Sequence, residues 1–101
     1  MAADDAGPTT FVLSGPANLY EAEEIREALQ AVVAEANDLR IDLETAGPWD
    51  VAGLQLLIAA LASGAKTGHT VRLINVPRVC VEIAERSGLS DWLIGAADSF
   101  L

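Results

Sequence analysis

The stretch Leu39-Arg40-Ile41-Asp42-Leu43-Glu44 alternates without a break. Leu39, Ile41 and Leu43 point one way, and Arg40, Asp42 and Glu44 the other, which is the two-residue period of a strand. A parallel strand buried on both faces reads as a continuous apolar run. Strict alternation instead predicts a sheet covered by helices on one side only. Two further strands fit beside it. Thr10-Phe11-Val12-Leu13 is β-branched and aromatic and stops at Ser14-Gly15-Pro16. Val71 and Leu73 alternate about Arg72 within Thr70–Asn75.

Helical spacing fills the intervals. Asn18 offers an N-cap, with Glu21 as its capping-box partner. Ile25, Leu29, Val32, Val33 and Ala36 then predict an amphipathic helix over 19–36, with Glu21, Glu24, Glu27 and Glu35 on its outer face. Thr45 to Trp49 reads as a turn. Asp50 can cap a second helix reaching about Lys66, with Leu54, Leu57, Ile58 and Leu61 inward. Pro77 suits the first turn of a third helix, over 77–87, whose apolar face is Val79, Ile83 and Ala84. Gly88 is a left-handed stop, and Leu89 folds back on the last turn. Trp92-Leu93-Ile94 fits either a last strand or a short helix. The βαβαβα order implies parallel, right-handed units and a one-sided α/β sandwich.

Composition narrows the function. The chain has 101 residues, 51% hydrophobic and 21% charged, which suits one globular domain. Six Lys+Arg against 15 Asp+Glu give a net charge of −9, which argues against polyanionic nucleic acid or anionic membrane as partners. One cysteine excludes a disulfide framework and a multi-cysteine zinc site, and a single histidine leaves little for a metal or a Ser-His-Asp triad. No phosphate-binding glycine loop occurs. Met1–Pro8 carries Asp4 and Asp5 and no base, unlike a secretory leader. Val51–Ala65, the most apolar stretch, is shorter than the ~20 residues of a spanning helix. These features predict a soluble, cytoplasmic protein with residues 1–9 as a flexible tail and 10–101 as one domain.

Single residues divide between structure and function. Cys80 reads as a small buried hydrophobe and His69 as a solvated histidine in a polar turn. Trp49 and Trp92 fit core or interface equally. The acidic face of the first helix is a solvated face or a partner surface. Asp50 is an N-cap. It is not a receiver-type phosphorylated aspartate, because the first strand ends without the acids that would hold Mg²⁺.

Four segments, in order, resemble the STAS family of anti-sigma-factor antagonists. They are Phe11-Val12-Leu13-Ser14-Gly15 before an acidic helix, the strand Leu39–Leu43, Asp50-Val51-Ala52-Gly53-Leu54-Gln55-Leu56-Leu57, and Ser87-Gly88-Leu89. The Asp-x-x-Gly-Leu element is the most specific. The resemblance covers residues 10–94. It implies a mostly parallel sheet of four or five strands with helices on one face, and a binding module with no catalytic residue, metal or cofactor. In the family a Ser or Thr commonly follows this Asp and is phosphorylated by a serine kinase that is also the anti-sigma factor. Here Val51 stands at that position and Ala52 follows, so neither residue is a phosphoacceptor. The resemblance places partner binding on Trp49, Asp50, Val51, Ala52 and Gly53, with Val51 and Trp49 as an apolar knob. The N-terminal strand of many members is not expected in Met1–Thr9. Two roles follow: a module in a bacterial partner-switching or chemotaxis-linked circuit, or an accessory subunit docked on the ATPase of a lipid-transport ABC transporter.

Overall fold

The computed structural model describes residues 9–35 and 38–101. Strands β1 (Thr9–Val12), β3 (Leu39–Asp42) and β5 (Val71–Ile74) form a parallel sheet in the order β1-β3-β5, with Phe11, Ile41 and Leu73 level with one another. Strands β2 (Gly15–Ala17) and β4 (Ala46–Trp49) form a second parallel pair. This pair continues the first two strands past a bend. Across the bend, the Leu13 N–H donates to the Asp42 carbonyl at 3.0 Å and the Gly15 N–H to the Thr45 carbonyl at 3.3 Å. Residues 45–49, expected as a turn, therefore contain a strand. Pairing with Gly15–Ala17 supplies the backbone partners that Gly47 and Pro48 do not advertise locally.

Helices α1 (Ala22–Glu35), α2 (Val51–Lys66) and α3 (Arg78–Ser87) alternate with the strands, and a short α4 (Ser90–Ala96) follows. The one-sided layering holds. Leu39, Ile41, Leu43, Val71 and Leu73 are buried in one cluster with Ile25, Leu29 and Val33 of α1, Leu54, Leu57 and Ala60 of α2, and Cys80, Ile83 and Ala84 of α3. On the strands' other face Arg40 is exposed and Asp42 and Arg72 are half-buried. Each fully buried leucine contributes about 1.5–3 kcal/mol through removal from water.

Details differ from expectation. Thr9, assigned to the tail, is the first residue of β1, and its N–H donates to the Asp38 carbonyl at 2.9 Å. The rest of the tail, and any strand in it, lies outside the described residues. Val79 is 40% exposed, and Cys80 takes the inward position. Counting from Val76, which is fully buried, the inner stripe runs Val76, Cys80, Ile83, Ala84 at helical spacing. Pro77 is the N-cap of α3 rather than part of its first turn. Gly88 ends α3 with a φ of 74°, and the Leu89 N–H closes the turn on the Ala84 carbonyl at 2.8 Å. Trp92–Ile94 is helical. Beyond it the chain extends beside β5, with parallel bridges Leu73–Ala97 and Val76–Phe100. Arg72 pins this segment, its guanidinium donating to Asp98 at 2.7 Å and to the Gly95 carbonyl at 2.8 Å.

Candidate partner-binding site

At the end of β4 the chain turns into α2 at Asp50. This residue is extended, with a φ of −138°, and its carboxylate works in two directions. Oδ1 accepts from the Ala52 N–H at 2.9 Å and so caps α2. Oδ2 accepts from the Leu19 N–H at 3.0 Å, in the turn that opens α1. The Asp50 N–H itself donates to the Ala17 carbonyl at 3.2 Å. One side chain thus ties the starts of two helices together. The α1 side has its own cap, since the Asn18 Oδ1 accepts from Tyr20 at 3.0 Å and from Glu21 at 3.2 Å.

The five residues assigned to the site do not all reach the surface. Val51 opens α2 and is 39% exposed, and Asp50 and Ala52 are half-buried. Gly53 is buried against β2: a Cβ there would lie 2.5 Å from the Ala17 carbonyl oxygen and 2.8 Å from the Trp49 ring. Trp49 is only 9% exposed, and its Nε1–H donates to the Ala46 carbonyl at 3.0 Å. An apolar knob built from Val51 and Trp49 is therefore not formed. Pairing of β4 with β2 sets Trp49 beside Ala17, whose small, fully buried side chain leaves room for the indole. Trp49 and Gly53 are the packing beneath the site, and Asp50, Val51 and Ala52 are its face.

The apolar companions of Val51 are different residues. Leu19 is 67% exposed and Tyr20 is 91% exposed, in the turn whose amide Asp50 holds. The spacing carries a signal for them. The inner stripe of α1 is Ile25, Leu29 and Val33, and residues 19 and 20 fall outside its backward extension. Two large side chains placed between a cap and a stripe, and belonging to neither, have no inward position to take.

Other candidates resolve as structure. Cys80 is fully buried, and burial pushes its thiol up from 9.0 to about 12. Half-buried His69 has Nδ1 3.3 Å from the Thr67 hydroxyl, at the exit of α2. Trp92 is partly buried against the core. Among the described residues no group of three His, Cys, Asp or Glu side chains is poised to hold a metal. No helix there is long and apolar enough to cross a membrane.

Parallel strands joined by helices on one face, with an exposed valine at a doubly tied helix start, define a small α/β fold. A family model described as "Mlab, STAS domain" matches residues 2–95, and the chain belongs to the STAS domain family. STAS domains in general mediate protein–protein interaction. A solved structure, a sulfate transporter family protein from Wolinella succinogenes, is similar with a TM-score of 0.68 at 17% identity, covering 91% of this chain and 75% of that one. At that identity the likeness concerns the fold. No curated protein matches.

Proposed function

We propose that this chain acts by binding and not by catalysis, as a constitutive docking module whose contact surface is Asp50, Val51 and Ala52. One observation carries the reading. At the start of α2, where the family resemblance expects a hydroxyl, stands an exposed branched hydrocarbon, Val51. A phosphate at a helix start adds about −1.5 to −2 charges and changes what can dock. Valine takes no phosphate and instead gains from being covered. The partner is a protein of a bacterial partner-switching or chemotaxis-linked circuit, of the kind built around anti-sigma factors and serine kinases. Control then acts on the partner or on protein levels. The second role, a standing subunit on the ATPase of a lipid-transport ABC transporter, draws support from the same observation, because a subunit that stays bound needs no switch. Both roles place the chain in the cytoplasm.

A photo-crosslinking amino acid at position 51, introduced in cells, tests this. A discrete adduct whose mass spectrum identifies a kinase or chemotaxis protein supports the first role, and a transporter ATPase the second. Titration of that partner against wild type, Val51→Ser and Val51→Asp follows. Equal affinities for all three would remove residues 50–52 from the interface and leave the acidic face of α1 as the better surface.

A further inference from the structure

We infer that the docking surface has a second half, Leu19 and Tyr20, and that its partner presents an apolar socket rimmed by lysine or arginine. The inference rests on the proposed role of Val51 and extends it to a surface and a partner chemistry. The first observation is exposure. Leu19 at 67%, Tyr20 at 91% and Val51 at 39% are three of the eight exposed large hydrophobic side chains among the described residues. Contiguous exposed apolar groups mark interaction sites far more reliably than scattered ones. These three flank a single carboxylate, because Asp50 bonds the amides of both Leu19 and Ala52. That pair of hydrogen bonds fixes the two helix starts relative to each other. The backbone that carries the apolar groups is thus preset, which lowers the ordering cost of binding.

The second observation is charge. Residues 12–25 contain Glu21, Glu23 and Glu24 and no Lys or Arg, and residues 41–65 contain Asp42, Glu44 and Asp50 and again none. The base nearest in sequence to Tyr20, Arg26, is held by Glu23 one turn into α1. An apolar centre with an acidic surround has its complement in an apolar centre with a basic one. A tyrosine, exposed here almost in full, is also one of the residue types that dominate interfaces when they enter a pocket. The acidic balance then acts as selection: it repels polyanions and draws in a cationic protein face.

The test uses the full chain, labelled with ¹⁵N, and a short synthetic peptide of Lys, Leu and Trp, with a counterpart carrying Glu in place of Lys. The cationic peptide is expected to shift the amide signals of Leu19, Tyr20, Val51 and Ala52. Its binding should weaken about thirtyfold in Tyr20→Ser, the lower end of the loss typical of an interface anchor, and weaken further as salt rises. The Glu peptide should not bind. Shifts that follow Glu27, Glu35 and Glu85 while Tyr20 and Val51 stay still would overturn the inference, as would equal binding of the Glu peptide. The crosslink from position 51 separates the two claims. An adduct that survives Leu19→Ser and Tyr20→Ser undiminished refutes the second half and leaves the Val51 surface standing. No adduct from position 51 in the otherwise unchanged protein refutes the reading beneath it.

Discussion

Replacing Gly53 with alanine adds one methyl group at the tightest point beneath the site. The new Cβ would lie 2.5 Å from the Ala17 carbonyl oxygen and 2.8 Å from the Trp49 ring. Ordinary carbon–oxygen contact begins near about 3.3 Å, so the first turn of α2 must retreat from β2. The carbonyl is backbone within a paired strand and does not swing aside. Forcing a methyl group into packed surroundings costs about 1–3 kcal/mol. The same carbonyl accepts the Asp50 N–H at 3.2 Å, and weakening that bond adds up to about 1 kcal/mol. Alanine recovers about 1 kcal/mol through helix propensity. The balance is a loss of about 2 kcal/mol, which in a domain of this size lowers Tm by about 8–16 °C. Gly95→Ala is the control, because no heavy atom lies within 4 Å of a Cβ there. It should match the wild type or gain up to about 1 kcal/mol. Differential scanning calorimetry of both variants decides. A Gly53→Ala protein that melts at or above the wild type would refute close approach as the reason for glycine.

Three further outcomes are expected. Asp50→Ala removes acceptors from both Ala52 and Leu19 and should cost about 1–2 kcal/mol in urea unfolding; Asp50→Asn, with one oxygen left, should fall between, and the Leu19 amide should exchange faster in both variants. Cys80 should resist a thiol reagent at pH 8 in the folded protein and react once unfolded, since a rise from 9.0 to about 12 cuts the thiolate roughly a thousandfold. The sign of its linkage is that the unfolded thiol ionises from pH 9 upward while the folded one stays protonated, so stability falls between pH 9 and 12 and Cys80→Ala should flatten that fall. Val51→Ser should keep the wild-type stability within the ~0.5 kcal/mol usual for a surface change, and the affinity of the unaltered protein for its partner should not change on adding ATP, as isothermal titration would show.

The alternating strand was legible because burial on one face imposes its period directly on the residues. Leu39, Ile41 and Leu43 are at most 1% exposed, and no tertiary information was needed to sort them from Arg40 and Asp42. The caps at Asn18 and Asp50 and the stop at Gly88 were legible for a similar reason: each acts within about one helical turn of itself. Strand β4 was not. Ala46-Gly47-Pro48-Trp49 carries turn residues, and it is a strand only because Gly15–Ala17 runs beside it. The inner face of α3 was offset by one residue at its start, because its anchor is Val76, ahead of the helix, and not Val79.

The site divides along the same line between local and distant causes. In Asp50-Val51-Ala52-Gly53 the outer two residues answer to the fold: the aspartate caps α2 and ties down Leu19, and the glycine lets α2 lie against Ala17. Trp49 packs below, because β4 pairs with β2 and sets the indole beside Ala17. Of the inner two residues Val51 is exposed and Ala52 half-buried, and their apolar side chains make none of those hydrogen bonds. Under the proposed function, position 51 can exchange a hydroxyl for a hydrocarbon while Asp50, Gly53 and Trp49 keep the helix where it is. Stability variants belong at 49 and 53 and binding variants at 19, 20 and 51, while Asp50, which ties two helix starts and lies on the proposed contact surface, is expected to affect both. Melting and titration measured on both sets would have to fall into two separate groups for this division to hold. A Val51 substitution that unfolds the chain, or a Gly53 substitution that weakens binding with Tm unchanged, would break it.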